Sequence, residues 1–361
     1  MRMIVVYALC LSFVLFSCIE PPVKNAANLA VKRTIRPEFA EGFVIEELSD
    51  SSFRITLLNL EKLPDTLQQI RWKPQTLNSI ACLSTTHLPF IKALEQLPIL
   101  KGTGFSDLVI DPEVRAMIDR GEVANLTVGH QLDEEKVFGT APDLMFVYPY
   151  GGEAYAKFLD AGIGCVQISE YLEKSPLGRA EWIRLFGVLF DKEQQADSVF
   201  QNIKSAYQAE ANRVLTSAAE RPTVFTGSYD GGFWYMPPGN SFAARLIEDA
   251  GGHYIYVDSI SSGNLVFPFE KILTDAHDCD FWGKIIYEKG PLTAEKLTEG
   301  DARLQGFKSF QSRSVFYCNA AETDYHGQAV LEPHLMLSDM IAVFHPEIHQ
   351  QHAPAYFRKW E

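Results

Sequence analysis

With 361 residues, 47% of them apolar and 22% charged, the chain is long enough for two domains with buried cores and too apolar to be disordered. A formal net charge of −14 argues against a nucleic-acid partner, and against adhesion to anionic membranes by surface charge, since both need a basic face.

The first residues, MRMIVVYALCLSFVLFSC, join a positive start at Arg2 to an apolar run over 4–16 that is too short to span a bilayer. The run stops at Leu15-Phe16-Ser17-Cys18, a small residue ahead of a cysteine, as in a bacterial lipobox. Residues 1–17 then read as a lipoprotein signal peptide and Cys18 as the lipidated mature N-terminus. No second apolar run approaches the ~20 residues of a membrane helix, so an anchored protein is expected and not a spanning one. Cys82, Cys165, Cys279 and Cys318 remain, without zinc-type spacing. Buried free thiols are the expectation, with one or two disulfides left open.

Residues 18–75 read as a tether, broken by Pro21-Pro22 and Pro37, that ends in a β-hairpin at 42–60 turning on Ser49-Asp50-Ser51-Ser52. Over 76–172 strands alternate with capped helices. The strand Ser79-Ile80-Ala81-Cys82-Leu83 exits into Ser84-Thr85-Thr86-His87, hydroxyls of the kind that cap a helix. Asp111-Pro112-Glu113 is a second cap followed by proline at the first helical position. A helix near 133–138, the strand Leu144-Met145-Phe146-Val147, the loop Tyr148-Pro149-Tyr150-Gly151-Gly152, a helix to about Asp160 and the strand Cys165-Val166-Gln167-Ile168 complete this half.

From Ser175-Pro176 to about Ser217 the period is helical throughout, with a break near Phe190-Asp191; residues 173–218 read as a connector. Over 219–361 the alternation restarts. Thr223-Val224-Phe225 is a strand, followed by the aromatic loop GSYDGGFWYMPPG and a helix at 240–250 capped by Asn240 and closed by Gly251-Gly252. Phe267 to Ala276 is expected as helix, Phe281 to Tyr287 and Val315 to Cys318 as strands, and 333–344 as the last helix. The fold class is therefore α/β: two Rossmann-like βα lobes, 76–172 and 219–361, joined by a long helical connector, with an N-terminal β-hairpin extension. Ligands of such sheets bind at the carboxyl ends of the strands. Ser84, Thr85, Thr86, Tyr148, Tyr150, Tyr229, Phe233, Trp234, Tyr235 and His326 fall there and are the candidate ligand-binding residues.

This order of elements resembles the substrate-binding proteins of bacterial ABC importers, in the subgroup whose two lobes share one long helix. The resemblance covers about 76–350. It rests on Ser79 to His87, on Ala141-Pro142-Asp143-Leu144-Met145, on Arg221-Pro222-Thr223-Val224-Phe225, and on the helix from Asn240-Ser241-Phe242 to Ala250-Gly251-Gly252. It is looser at Gly263 to Glu270, which lacks the family's tryptophan, and the hairpin at 42–60 lies outside the common core.

The resemblance implies a monomeric, lipid-anchored, periplasm-facing protein of the cell envelope, with no cofactor of its own. It implies a bound iron or cobalt chelate, a ferric siderophore first, cobalamin second and haem third, delivered to an inner-membrane ABC-importer permease. It also implies acidic docking residues, for which Glu113 and Glu248 are the candidates. Few arginines fall in the expected loops, which mildly disfavours a strongly anionic siderophore. Direct zinc or manganese capture is the alternative within the architecture, but His87, His130, His253, His277 and His326 are scattered, and only His345 and His349 share an i,i+4 spacing. A periplasmic hydrolase is the alternative of another class; Gly227-Ser228-Tyr229-Asp230-Gly231 sets its serine in the wrong place for a nucleophile elbow.

Overall fold

The described residues open with four antiparallel strands, β1 (Val31–Ile35), β2 (Phe43–Leu48), β3 (Phe53–Leu58) and β4 (Thr66–Trp72), paired in that order, with buried and half-buried residues alternating in β3 and at the start of β2. The structure is a computed structural model that describes residues 29–149, 155–217, 220–349 and 351–361; the expected signal peptide, Cys18 and Tyr150 lie outside them. The expected hairpin is thus the middle of a meander, and part of the expected tether is its edge strand β1. Register pairs Phe43 with Leu57 and Ile45 with Ile55, so one face is apolar and buried.

That face packs on the rest of the protein, with the Phe43 ring 5.2 Å edge-on from Trp182. Two buried carboxylates hold the strap between β1 and β2. Glu181 accepts the backbone N–H groups of Glu38, Phe39 and Ala40, and Glu173 those of Glu41 and Gly42 together with the Trp182 indole. A carboxylate can absorb several such donors, which would otherwise be buried without partners.

The first lobe runs β5 (Ile80–Cys82), α1 (Leu88–Ala93), β6 (Leu100–Thr103), α2 (Pro112–Asp119), β7 (Ala124–Asn125), a ribbon of β8 (Thr127–Val128) and β9 (Gln131–Leu132), α3 (Glu134–Thr140), β10 (Leu144–Val147), α4 (Ala156–Asp160) and β11 (Gly164–Gln167). Its parallel sheet has the order β11-β10-β5-β6-β7. Both faces are covered. Ile80, Cys82, Leu144 and Phe146 join the main core, while Ala81, Met145 and Val147 join a second cluster on the other side. Asp111 caps α2 as its Asp-Pro pair predicts, accepting from Glu113 and Val114. At the β11 edge, the Gln68 side chain donates to the Cys165 carbonyl (2.8 Å) and accepts from Gln167 N–H (2.9 Å), so the meander covers that edge.

Three helices connect the lobes: α5 (Pro176–Glu181), α6 (Ile183–Leu189) and α7 (Glu193–Ser217). The break falls between Phe190 and Lys192, where the sequence places it. In α7, Ala196, Phe200, Ile203, Tyr207 and Val214 make the buried stripe.

The second lobe comprises β12 (Thr223–Thr226), β13 (Ser228–Asp230), β14 (Phe233–Met236), α8 (Phe242–Asp249), β15 (His253–Tyr254), β16 (Leu265–Pro268), α9 (Phe269–Asp275), β17 (Phe281–Ile286), α10 (Ala294–Leu297), α11 (Lys308–Gln311), β18 (Val315–Asn319), α12 (Pro333–Phe344) and β19 (Phe357–Lys359). Its sheet has the order β15-β12-β17-β18-β19, parallel except for β19. Three expectations need correction. The aromatic stretch after β12 is a hairpin, β13-β14, extended by β16 into a small antiparallel sheet. The helix expected from Phe267 begins at Phe269, after that strand. Ser241 caps α8, while Asn240 accepts from Ser261 N–H instead.

Cys82, Cys165, Cys279 and Cys318 are buried free thiols. Burial pushes Cys82 up to about 12 and Cys279 up to about 11, far from a reactive thiolate.

Candidate ligand-binding cleft

In the first lobe the chain passes from β5 to β6 on one side and later places β10 on the other, so β5 stands at the topological switch point. Ser84, Thr85 and Thr86 follow it directly. Each hydroxyl has a partner. Ser84 Oγ accepts the Thr86 N–H as a cap (3.3 Å) and shares a hydrogen bond with the Thr86 hydroxyl (2.7 Å). Thr85 donates across to the second lobe, to the His326 carbonyl (2.5 Å). Thr86 donates to the Glu170 carboxylate.

Glu170 and His87 are both fully buried. Burial pushes the Glu170 carboxyl up, and the neighbouring His87 ring and Thr86 hydroxyl more than offset it, so the carboxyl is held below its ordinary value. His87 Nε2 lies 3.7 Å from Glu170 Oε2, and neither atom makes a hydrogen bond within the described structure.

Arg179 of α5 decides the electrostatics. Its guanidinium donates to the backbone carbonyls of Tyr171 (2.7 Å) and Glu173 (3.4 Å), and it lies 3.9 Å from the centre of the Phe242 ring, the first residue of α8. Among the described residues no carboxylate is ion-paired with it. Burial lowers its pKa, with Tyr325, Glu170 and Glu173 acting the other way, but an arginine keeps its charge at neutral pH. Tyr325, in the loop after β18, is pushed up to about 12 by burial and so is a neutral donor beside it.

These groups border two cavities between the lobes that share part of their lining. The inner one, about 130 Å³, is bounded by Thr86, Glu170, Tyr325 and His326, with Met336 and Val330 supplying apolar surface. The outer one, about 550 Å³, extends past Ser241 and the 260–264 loop toward solvent. Tyr171, Arg179, Phe242 and Tyr325 line both. The cleft thus offers two cations, Arg179 and, at the outer rim, Lys174, together with the Glu170 and Glu173 carboxylates, neutral hydroxyl donors and aromatic faces. That mix suits a polar, oxygen-rich group held within a larger body. Among the described residues no group of three or more His, Cys, Asp or Glu side chains is placed to hold a metal ion.

A family model described as "Periplasmic binding protein" matches residues 80–321. The chain belongs to the periplasmic binding protein family. An uncharacterized lipoprotein of Methanocaldococcus jannaschii is 25% identical over 309 residues, 83% of this chain and 72% of that one. Two solved structures share the fold. A Ni-His complex of Helicobacter pylori CeuE is 13% identical with a TM-score of 0.61, covering 82% of this chain and 90% of that one. A periplasmic heme binding protein from Pseudomonas aeruginosa is 13% identical with a TM-score of 0.60, covering 79% and 99%. No described helix is long and apolar enough to cross a membrane.

In this periplasmic binding protein Thr86 and His326 line the inner cavity, Thr85 joins the lobes beside it, and Ser84 caps. Tyr148 stands one ring back, its centre 6.1 Å from that of Tyr171. The aromatics of the β13-β14 hairpin do not line either cavity. Trp234 is fully buried against Phe225, Trp282 and Phe269. Tyr229 packs on Phe269, with Arg303 over its ring. Phe233 and Tyr235 alternate to the opposite face, where Phe233 is 46% exposed. The same stretch reaches the cleft further on, through Pro237, Pro238, Ser241 and Phe242.

A Gly-Gly pair between apolar runs is a hairpin signal, and Gly231 (φ 57°) and Gly232 (φ 92°) make that turn. Arg179, Glu170, Tyr171 and Phe242 were missed, since nothing local distinguishes them. Glu113 is exposed and lies 3.2 Å from Lys92. Glu248 is held by Arg221 (2.5 Å) and accepts Tyr254 N–H (2.8 Å).

Proposed function

We propose that this chain is the substrate-binding lipoprotein of an ABC importer, anchored through Cys18 and facing the periplasm. It captures a metal chelate between its lobes and delivers it to the inner-membrane permease without making or breaking a bond. The observation that carries the reading is Arg179, a cation without a carboxylate partner in the described structure, set on Phe242 where the two cavities meet. A charge left unpaired in a cleft is costly unless a ligand completes it.

Arg179 shifts the balance toward a ferric siderophore with an anionic or oxygen-rich coordination shell, ahead of cobalamin and then haem. The lack of a donor cluster among the described residues speaks for a ligand that brings its own donors over a bare zinc or manganese ion. Glu113 and Glu248, one on each lobe, are the proposed permease contacts, and each exchanges its present cation for one on the permease.

The test is a thermal-shift and calorimetric panel of ferric tricatecholate, ferric trihydroxamate, cobalamin, haemin and bare metal ions. Stabilisation by a ferric chelate that is lost in Arg179→Ala supports the reading. Stabilisation by bare zinc or manganese alone overturns it.

A further inference from the structure

The meander precedes the segment that matches the family, 80–321, yet it reaches the cleft. Leu60 and Glu61, in the turn between β3 and β4, line the outer cavity together with Arg179 and the 260–264 loop of the second lobe. The turn is not loosely attached. Asn59 N–H donates to the Asp65 carbonyl (2.8 Å), Lys62 N–H to the Asn59 carbonyl (2.9 Å) and Glu61 N–H to the Asn59 side chain (3.1 Å). Leu60 is buried, and a Cβ placed on Gly42 would lie 3.2 Å from it and 3.0 Å from Glu173 Oε1. The same Glu173 carboxylate binds the strap, and its backbone carbonyl accepts from Arg179. One rigid connection therefore runs from the meander to the cation of the cleft.

Among the described residues the exposed Glu61 carboxylate has no ion-pair partner, in contrast to the meander's Glu46 and Glu47, while Lys174 on the same cavity lies 4.0 Å from the Glu41 carboxylate and is not paired with Glu61. Facing it across the outer cavity, the second lobe presents Ser261, Ser262 and Asn264 as neutral polar groups, and Ile260, which is 85% exposed. An apolar side chain so exposed on a cleft rim is placed for contact with something that arrives there.

We infer that the β3-β4 turn is a third wall of the ligand cleft, in which Glu61 lies against the outer part of the bound chelate and selects it by charge, favouring a cationic or donor-bearing group there. This rests on the chelate reading above and deepens it. The ligand is then polar along its length, with its oxygen-rich core toward Arg179 and its donor-bearing periphery toward Glu61. Leu60 and Ile260 contribute apolar contact on either side.

The test uses the full chain and its Glu61→Lys variant. The residue is exposed, so folding is unaffected, and a melting curve checks this. The probes are a linear ferric trihydroxamate with a terminal ammonium group, its N-acetylated form, and a ferric tricatecholate. Charge reversal at a cleft rim is expected to weaken the ammonium-bearing complex by about fivefold, to leave the acetylated one within about twofold, and to tighten the tricatecholate by about fivefold. A chelate that binds in an Arg179-dependent manner, but with the same affinity in Glu61→Lys, overturns the third wall and leaves the chelate reading standing. If neither a ferric chelate nor cobalamin nor haemin binds the wild-type chain, both fall together.

Discussion

The guanidinium of Arg179 lies 3.9 Å from the centre of the Phe242 ring, joining the connector to the first turn of the second lobe's cleft helix. Its hydrogen bonds go to backbone carbonyls, which orient the fork without neutralising it. Arg179→Ala should therefore weaken a ferric chelate by about ten- to a hundredfold, the range for loss of a charge-assisted hydrogen bond. Arg179→Lys should fall between, since it keeps the charge and loses the planar fork. Arg179→Ala should also lower the melting temperature, through a loss of about 1–3 kcal/mol of stability, because the Tyr171 and Glu173 carbonyls lose their donor and Phe242 its stacking partner, and Arg179→Lys should lower it less. Calorimetry on the three proteins checks both statements. An Ala variant that binds as the wild type does would remove Arg179 from the site.

Gly42 marks where the meander, α6 and the cleft wall come closest. A Cβ there would stand 2.5 Å from Trp182 Cζ2, and the tryptophan is fully buried. Neither the ring nor the strap has room to yield, so Gly42→Ala should cost about 1–3 kcal/mol, as overpacking does. Denaturant unfolding followed by tryptophan emission and far-UV circular dichroism measures it. A neutral outcome would mean that the meander moves freely on the first lobe.

Local chemistry made much of this fold legible. Asp111-Pro112 announces α2, Ser175-Pro176 announces α5, and the alternation of apolar runs with capped helices announces two parallel sheets. The β13-β14 hairpin departs from the loop that its aromatic composition suggests, because Gly231-Gly232 and the alternation around them set a turn between two strands. Arg179 could not be found this way. It matters because α5 abuts a helix that begins 63 residues later in the chain, and no local pattern encodes that meeting. The same holds for Glu61, whose place beside the 260–264 loop depends on how the meander docks.

The lobes touch directly where Thr85 donates to the His326 carbonyl. Thr85→Val keeps the shape and removes the donor. The cost should be about 0.5–1.5 kcal/mol, and it falls on the closed arrangement in particular. The ligand-free protein should then sample more open states, and chelate affinity should drop by up to about tenfold through the smaller competent fraction. Small-angle scattering with and without ferric chelate tests this. A radius of gyration identical to wild type in both conditions would show that the bond does not hold the lobes.

On the proposed reading, membrane attachment rests on Cys18. Replacing Cys18 by Ser should move the protein from the membrane fraction to the soluble one, because two acyl signals are needed for stable anchoring and the apolar run over 4–16 is too short to span. Fractionation of cells that express each form decides it. Persistent membrane association of the Ser variant would defeat the lipobox reading.

Glu173 provides the pH dependence. Burial, its largest influence, pushes the carboxyl up, and the N–H groups of Glu41, Gly42 and Trp182 offset this only in part, so its folded pKa stands above the ordinary 4.5. A carboxyl raised in the folded state binds its proton more readily there than in the unfolded chain. Its contribution to stability is therefore full below about pH 4.5 and is lost as pH rises through the folded value. Glu173→Gln carries no charge and still presents an oxygen to the strap, so its advantage over the wild type should grow from pH 4.5 toward neutrality. Glu173→Ala leaves the buried Gly42 and Trp182 N–H groups and the part-buried Glu41 N–H without partners and should cost about 2–4 kcal/mol across the range. Melting curves from pH 4 to 8 separate the three, with the order at pH 7 expected as Gln, then Glu, then Ala. A Gln variant that melts below the wild type at pH 7 would mean that the ionised carboxylate, through its charge-assisted bonds, is what holds the strap.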